Sequence, residues 1–476
     1  MSTPEAEPSA DRVSRYAWLA LALVLGAVTA LYFRALDYPF LDWDDPIYVT
    51  GRVALQELAA GHDGALAKLL SPATAWGGDF WEYYPVRDLT YALDVSLGGL
   101  QPGPMHATNL ALHLLTVLLV FALGRRLGLG PLPALFAAAL FGLHPLCVEP
   151  VAWISGRKDL LYVALGLAGL LALDRALTMR EGGPVWVGWA AAYLAWLLAF
   201  GSKGPAVIFV ALAAGWVWWR AREDDLPLRP NLVRLAPLAV LATAWVIFSV
   251  VLAKQSGVLR AYPDGLVGSW FRAVGAPLRG LLTALVPLDL SPSYLPFARS
   301  PWTDPHSWAT LALVALVFLW HRRRGPFPPA AVLLGLGALL AVLPTSGVVP
   351  VSQPRADRFL YLPLVLLCWL AAWGLQRLTG SLRGGRRVAA VALPLALIAA
   401  YTTVTHRYVH AWRGDLPLWE HVYQRDRTHP MANLNLGIEA LKRGKLTLAR
   451  PFFETALKHQ PKLVGAWDNL GVTWYR

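Results

Sequence analysis

Apolar residues gather along this chain into long runs near 16–34, 107–124, 131–146, 160–173, 184–200, 204–219, 232–253, 272–287, 307–320, 329–347, 359–376 and 388–404, with polar and basic stretches between them. A helix crosses the hydrocarbon core of a bilayer with roughly 20 apolar residues, so each run is a candidate span. Arginines decide among them, because cytoplasmic loops collect Lys and Arg. With the N-terminus inside, Arg125 and Arg126, Arg175 and Arg180, and Arg220, Arg222, Arg229 and Arg234 all fall inside. The alternation fails only if 272–287 crosses, which would put Arg322, Arg323 and Arg324, and then Arg383, Arg386 and Arg387, outside. That run also carries Arg272 and Arg279 on one helical face, which suits an interfacial or re-entrant helix. The expectation is an all-α, polytopic membrane protein of about 11 spans with its C-terminus outside.

Composition agrees: 56% of the residues are hydrophobic, 15% are charged and the mean hydropathy is +0.45. The net charge of +12 sits in short clusters between apolar runs, a matter of topology and lipid rather than nucleic acid. Only Cys147 and Cys368 occur, and neither a disulfide framework nor a zinc spacing follows. The run at 16–34 follows Arg12 and Arg15 and exceeds the apolar region of a signal peptide, so it reads as a retained anchor behind a disordered cytoplasmic tail, 1–15.

This topology leaves three large outer segments: about 35–106, about 254–306 and everything after 405. The last of these, 406–476, is polar and helical. Leu436, Gly437, Ala449, Phe453, Ala456 and Pro461 match the tetratricopeptide pattern. Asn433, Leu436 and Gly437 recur 34 residues on as Trp467, Leu470 and Gly471. The chain stops inside the first helix of the second full repeat, so the α-solenoid is expected to be truncated.

Candidate chemistry lies on the outer rim. LDYPFLDWDDPIYVT (36–50) holds Asp37, Asp42, Asp44 and Asp45 just after the first span. Crowded like charges push at least one carboxyl pKa up, and a nearby cation pulls another down, so Asp44 and Asp45 are candidate general bases. A solvated turn before Pro46 is the plainer alternative. Asp42 is a supporting candidate, and Asp37, nearest the helix end, reads as structural. The rim also carries the cations Arg87, Arg157, Lys158, Lys203, Arg355 and Arg358. Lys203 interrupts an apolar hairpin in SKG, where a positive charge is costly without an anionic partner. Cations facing acids in one pocket suit a phosphate leaving group and a proton-abstracting carboxylate. His106, His113, His144 and Glu149 are further supporting candidates; packing is the plainer reading of His106 and His113, and His144 and Glu149 form no metal-ligand motif by themselves. No Walker loop, GxSxG or dinucleotide-binding glycine motif is present, and no ligand spacing marks a divalent metal, although one would be compatible with such a site.

With these residues in view, the chain resembles the transmembrane and tetratricopeptide-repeat O-mannosyltransferases, bacterial members included, among the polyprenyl-phosphate-dependent C-fold (GT-C) glycosyltransferases. The resemblance rests on FLDWDDPIYVT (40–50), YYPVRDLTYALDVSLGGLQPGPMHATNLALHLL (83–115), LFGLHPLCVEPVAWISGRKDLLY (140–162), LAFGSKGPAV (198–207), LVPLDLSPSYLPF (285–297), LPTSGVVPVSQPRADRFLYLP (343–363) and the repeats. It implies a GT-C-like catalytic module over 16–405 whose first outer loop carries the acidic pair, here Asp44 and Asp45. It also implies a polyprenyl-phosphate-linked sugar donor at the outer leaflet and transfer of a hexose, by analogy mannose, to a protein Ser or Thr hydroxyl with inversion. Arg87, Arg157, Lys158, Lys203 and Arg358 would then meet the donor phosphate, and the repeats would hold the acceptor protein. The resemblance places such a protein in the bacterial inner membrane, repeats on the periplasmic side. Relatives often carry an acid after the lysine, where this chain has Gly204-Pro205. Two alternatives stay open: a membrane-anchored repeat scaffold without catalysis, and a polymerase or ligase of lipid-linked oligosaccharides.

Overall fold

The computed structural model describes residues 10–73, 82–179, 183–256, 265–295, 300–348, 353 and 355–475. Arg180, and parts of the outer loops expected at 35–106, 254–306 and 344–358, lie outside these residues. Every regular element among the described residues is helical. The longer helices are α1 (Ala10–Tyr32), α2 (Pro85–Gly98), α3 (Pro102–Arg126), α4 (Pro131–Gly142), α5 (Arg157–Leu177), α6 (Val185–Phe200), α7 (Ile208–Glu223), α8 (Leu228–Gln255) and α9 (Gly265–Val274). They continue as α10 (Ala276–Leu285), α11 (Pro305–Arg324), α12 (Pro329–Val342), α13 (Tyr361–Ser381), α14 (Gly384–Val409), α15 (Asp415–Arg425), α16 (Pro430–Lys442), α17 (Leu446–His459) and α18 (Val464–Tyr475).

Proline writes several of these starts. Pro85, Pro102, Pro131, Pro305, Pro329 and Pro430 each stand at the head of a helix, where the missing N–H has no intrahelical partner to lose. Pro145 instead breaks one: α4 and the following segment Pro145–Ala152 are bent by 54°.

Among the described residues seven helices are long and apolar enough to cross a bilayer, and up to eight if that bent pair is one span. Val185–Phe200 and Pro329–Thr345 are apolar but shorter, and α11 ends in His321, Arg322, Arg323 and Arg324. The segment expected to lie at the interface, 272–287, falls on α9 and α10, ten residues each and divided at Gly275. At about 1.5 Å per residue neither crosses alone. Arg279 reaches back to the Arg272 carbonyl (2.7 Å) and pairs with Asp304 (2.5 Å), which ties α9, α10 and the start of α11 together. At the N-terminus α1 begins at Ala10, six residues ahead of the expected start of the first run at 16.

The core forms where α5 packs along both α3 and α6, and α4 is enclosed by α1, α3 and α13. Two glycines permit the closest approach. A Cβ at Gly166 would lie 2.0 Å from the Phe209 ring of α7, and one at Gly169 would lie 2.4 Å from Trp196 of α6. Helices in lipid gain from such approach because packing, not hydrophobicity, drives their association. Past α14 the chain turns through Trp412 into α15–α18, where Gly437 lies against Phe453, and Ala449 and Ala456 are fully buried. These helices touch the loops around the candidate site: His421 pairs with the Leu290 carbonyl (3.0 Å) and Arg425 with Asp289 (3.6 Å).

Candidate active site

The segment 41–50 separates the two adjacent aspartates. The Asp44 carbonyl accepts from the N–H groups of Ile47 (3.0 Å) and Tyr48 (3.1 Å), starting a helical turn over Pro46–Thr50. Consecutive residues entering a helical turn point about 100° apart, so one carboxylate faces inward and the other does not. Asp45 is fully buried. Its Oδ2 accepts from the Leu41 N–H (2.9 Å) and its Oδ1 from the Ser155 N–H (3.2 Å) and hydroxyl (2.5 Å). It therefore pins its own turn to the turn before α5. Trp43 stacks on Trp153 across the same junction, with centroids 4.8 Å apart.

Asp44 points the other way, into a cavity of about 600 Å³. Trp43, Glu82, Lys158, Lys203 and Arg358 line it too, and Val246, Phe248, Val250 and Leu252 of α8 form an apolar wall. Val246 and Val250 are each 41% exposed, on a long apolar helix most of whose residues face out of the helix bundle.

Each cation in the lining is matched by an acid. Lys158 Nζ sits 3.1 Å from both Glu82 carboxylate oxygens, and Arg87 holds the same carboxylate from behind at 3.0 Å. Arg87 in turn pairs with Asp88 (2.8 Å), which meets Arg52 (3.6 Å). The Tyr48 ring faces both Arg87 and Lys158, at 4.5 and 4.6 Å. Lys203 pairs with Asp159 at 2.5 Å, and Arg358 with Glu149 and with Gln353 at 2.5 Å. Asp44 differs. Among the described residues its carboxylate takes no hydrogen bond or ion pair.

Electrostatics follow from these surroundings. Burial pushes the Asp44 carboxyl above the usual carboxylate range, against the pull of Lys158 and Arg358. Burial raises Asp45 to about 6, opposed by its hydrogen bonds from Leu41 and Ser155. Burial also acts to raise Glu82, but Lys158 and Arg87 outweigh it and hold the group below its ordinary value. Burial depresses Lys203 to about 8, with Asp159 working to keep it charged.

Of the residues expected at the site, Asp44, Lys158, Lys203 and Arg358 thus come together in one cavity. The others stand around or away from it. Arg87 lies behind Glu82. Arg157, the immediate neighbour of Lys158, turns to Asp94 (2.5 Å), Asn109 (2.9 Å) and the Met105 carbonyl (2.7 Å), tying helix ends together. Glu149 backs Arg358. His113 bridges the Tyr361 hydroxyl (2.8 Å) and the Gly142 carbonyl (3.2 Å). His144 joins Ala284 to the Leu146 N–H. His106 packs edge-on against Tyr38. Asp42 is exposed and pairs with Lys442, Asp37 is also exposed, and Arg355 lies over the Tyr294 ring at 4.0 Å. Among the described residues no three His, Cys, Asp or Glu side chains gather into a metal-ligand set. Glu82 is the residue that sequence reasoning passed over, although it directly precedes the YYPVRD motif.

Over 90% of its length the chain is 26% identical to the human protein O-mannosyl-transferase TMTC4. This chain is similar to the TMTC protein O-mannosyl-transferases. Mouse TMTC3 matches at 24% identity over 95% of the chain, and human TMTC1 at 34% identity over 33%. The chain spans 65% of the length of TMTC4, 52% of mouse TMTC3 and 18% of TMTC1, so the TMTC proteins extend beyond the region compared. Among solved structures, ArnT from Cupriavidus metallidurans bound to undecaprenyl phosphate aligns with a TM-score of 0.43 and 14% identity, covering 95% of this chain and 76% of that one. No family model matches the sequence.

Proposed function

We propose that the chain is a membrane glycosyltransferase that moves a hexose, by analogy with the TMTC proteins mannose, from a polyprenyl phosphate to a hydroxyl of a protein. One observation carries this reading. A single cavity joins the unengaged Asp44 carboxylate to Lys158, Lys203 and Arg358 and is walled by an outward-facing apolar helix. A lipid-linked sugar phosphate needs that combination: cations for the phosphate, a lipid-facing wall for the prenyl chain and a base for the acceptor. Asp44 takes the proton of a Ser or Thr hydroxyl as its oxygen bonds to the anomeric carbon. The bond from that carbon to the phosphate oxygen breaks, and its electron pair leaves on the phosphate. Lys158, Lys203 and Arg358 stabilise the charge that develops there. Asp45 holds the base-bearing turn in place. The topology that accompanies this reading has about 11 spans over 16–405, with the site on the outer, periplasmic side of a bacterial inner membrane. Residues 406–476 then form tetratricopeptide repeats that receive the acceptor protein.

The test is release of polyprenyl phosphate by the purified chain, given a panel of polyprenyl-phosphate-linked sugars and an acceptor. Asp44→Asn is expected to lose ~10²-fold or more of the turnover, the usual consequence of removing a general base. Wild-type turnover in Asp44→Asn, or none with any donor in the unaltered protein, refutes the proposal.

A further inference from the structure

The loop that carries Asp44 is held from the far end of the chain. The Asp42 backbone N–H donates to Asp415 Oδ1 at 2.9 Å, and the Asp42 carboxylate pairs with Lys442 Nζ at 2.9 Å. Between them Trp43 lies against Trp412 and Trp419, at 6.4 and 5.8 Å, as well as Trp153. Trp412 and Trp419 are buried, whereas Trp43 also lines the cavity beside Asp44. Asp415 opens α15, Trp419 lies within it and Lys442 closes α16. The charges facing Asp42 are Asp415, Lys442 and Glu439, with Lys442 also bonded to Glu439 at 3.0 Å. One ammonium thus bonds two of these carboxylates, Asp42 and Glu439, with Asp415 beside them.

We propose that Lys442, through Asp42 and Trp43, is a positioning residue for the Asp44 base, so that the placement of the C-terminal helices sets the geometry of the cavity. This rests on the function proposed above. Packing of Trp43 against Trp412 and against Trp419 of α15 would carry a shift of α15 to residue 43, and Asp44 is the next residue in the chain. A polypeptide bound to the C-terminal helices would act on the base by this route, without touching the cavity.

The ion pair is half exposed on both sides, so its substitution leaves the buried stack in place. In the full chain Lys442→Glu and Asp42→Lys are each expected to lower kcat about three- to fivefold, the scale of a single exposed pair and its reversal, with KM for the lipid-linked donor unchanged. The double variant Asp42→Lys with Lys442→Glu restores the pair in the opposite sense and should return kcat to within about twofold of the original. Wild-type kcat in both single variants, or a double variant no better than either, overturns the proposal. Hydrogen–deuterium exchange across residues 38–45 separates this outcome from failure of the proposed function. Faster exchange in Lys442→Glu supports the coupling even in a protein that turns over no donor. Unchanged exchange overturns it.

Discussion

Asp44 and Asp45 are neighbours with the same side chain, and their surroundings predict opposite consequences for the same substitution. Asp45 accepts three hydrogen bonds, two of them from buried backbone N–H groups. Asp45→Ala strands those donors. At about 1–3 kcal/mol for each buried group left unsatisfied, the fold should lose about 2–6 kcal/mol. Asp45→Asn keeps one accepting oxygen and should lose roughly half as much. Asp44 has no such partners among the described residues, so Asp44→Asn should leave stability within about 0.5 kcal/mol of the original while turnover falls ~10²-fold. Thermal unfolding in detergent, followed by intrinsic tryptophan fluorescence, reads the first quantity, and release of polyprenyl phosphate well below the unfolding temperature reads the second. The reasoning fails if Asp45→Asn is as stable as the unaltered protein and as inactive as Asp44→Asn. It fails equally if Asp44→Asn unfolds early.

The pH dependence of kcat should be bell-shaped. Turnover rises as Asp44 loses its proton, at a pH above the ordinary carboxylate range, and falls above about 8 as Lys203 loses its charge. Lys203→Arg should retain measurable turnover and move the falling limb upward, and a limb left near 8 in that variant assigns it to another group. Arg157→Lys loses the forked contacts to Asp94, Asn109 and Met105 and should destabilise the protein by about 2–5 kcal/mol in an unfolding assay, as broken buried networks do. Gly166→Ala should cost about 1–3 kcal/mol because its Cβ meets the Phe209 ring, whereas Gly374→Ala, with nothing within 4 Å, should be neutral or slightly stabilising.

The helices were legible in the sequence because lipid leaves the backbone few other ways to satisfy its hydrogen bonds, and a long apolar run then reads directly as helix. Each of the eleven runs expected to span falls on helical residues, and among the described residues seven helices are both long and apolar enough to cross on their own. The bend after Gly142 was harder to read, since 131–146 looks like one uninterrupted run until Pro145 removes a donor. Lys203 stood out in the sequence, a lone cation between apolar helices, and it lines the cavity. Arg157 and Lys158 could not be told apart, because adjacent residues at a helix start diverge: one faces Asp94 and Asn109, the other the cavity. Asp44 and Asp45 divide for the same reason. Glu82 lay hidden because the partner that shares the cavity with it is distant in the chain, although Arg87, its other partner, stands only five residues on. Lys158 is 76 residues away, and no local spacing signals such a contact.

The pairing of the cations bears directly on how such a cavity works. A buried cation without a partner loses its charge or its place, and supplying an acid beside each one prevents both. Glu82, Asp159 and Glu149 do this for Lys158, Lys203 and Arg358, so under the proposed function the positive charge would already be aimed when a phosphate arrives. Charges fixed in advance stabilise a developing anion more effectively than charges that must first reorient. The same pairing isolates Asp44. Its three acidic neighbours absorb the nearest cations, and Asp44 keeps a carboxylate with no ion-pair partner among the described residues, its pKa raised by burial. A carboxylate locked to a lysine or arginine would be a poorer proton acceptor, because the ion pair favours the ionised form. On the proposed function, the acids paired with the cations therefore serve the base as much as they serve the cations, by leaving it free.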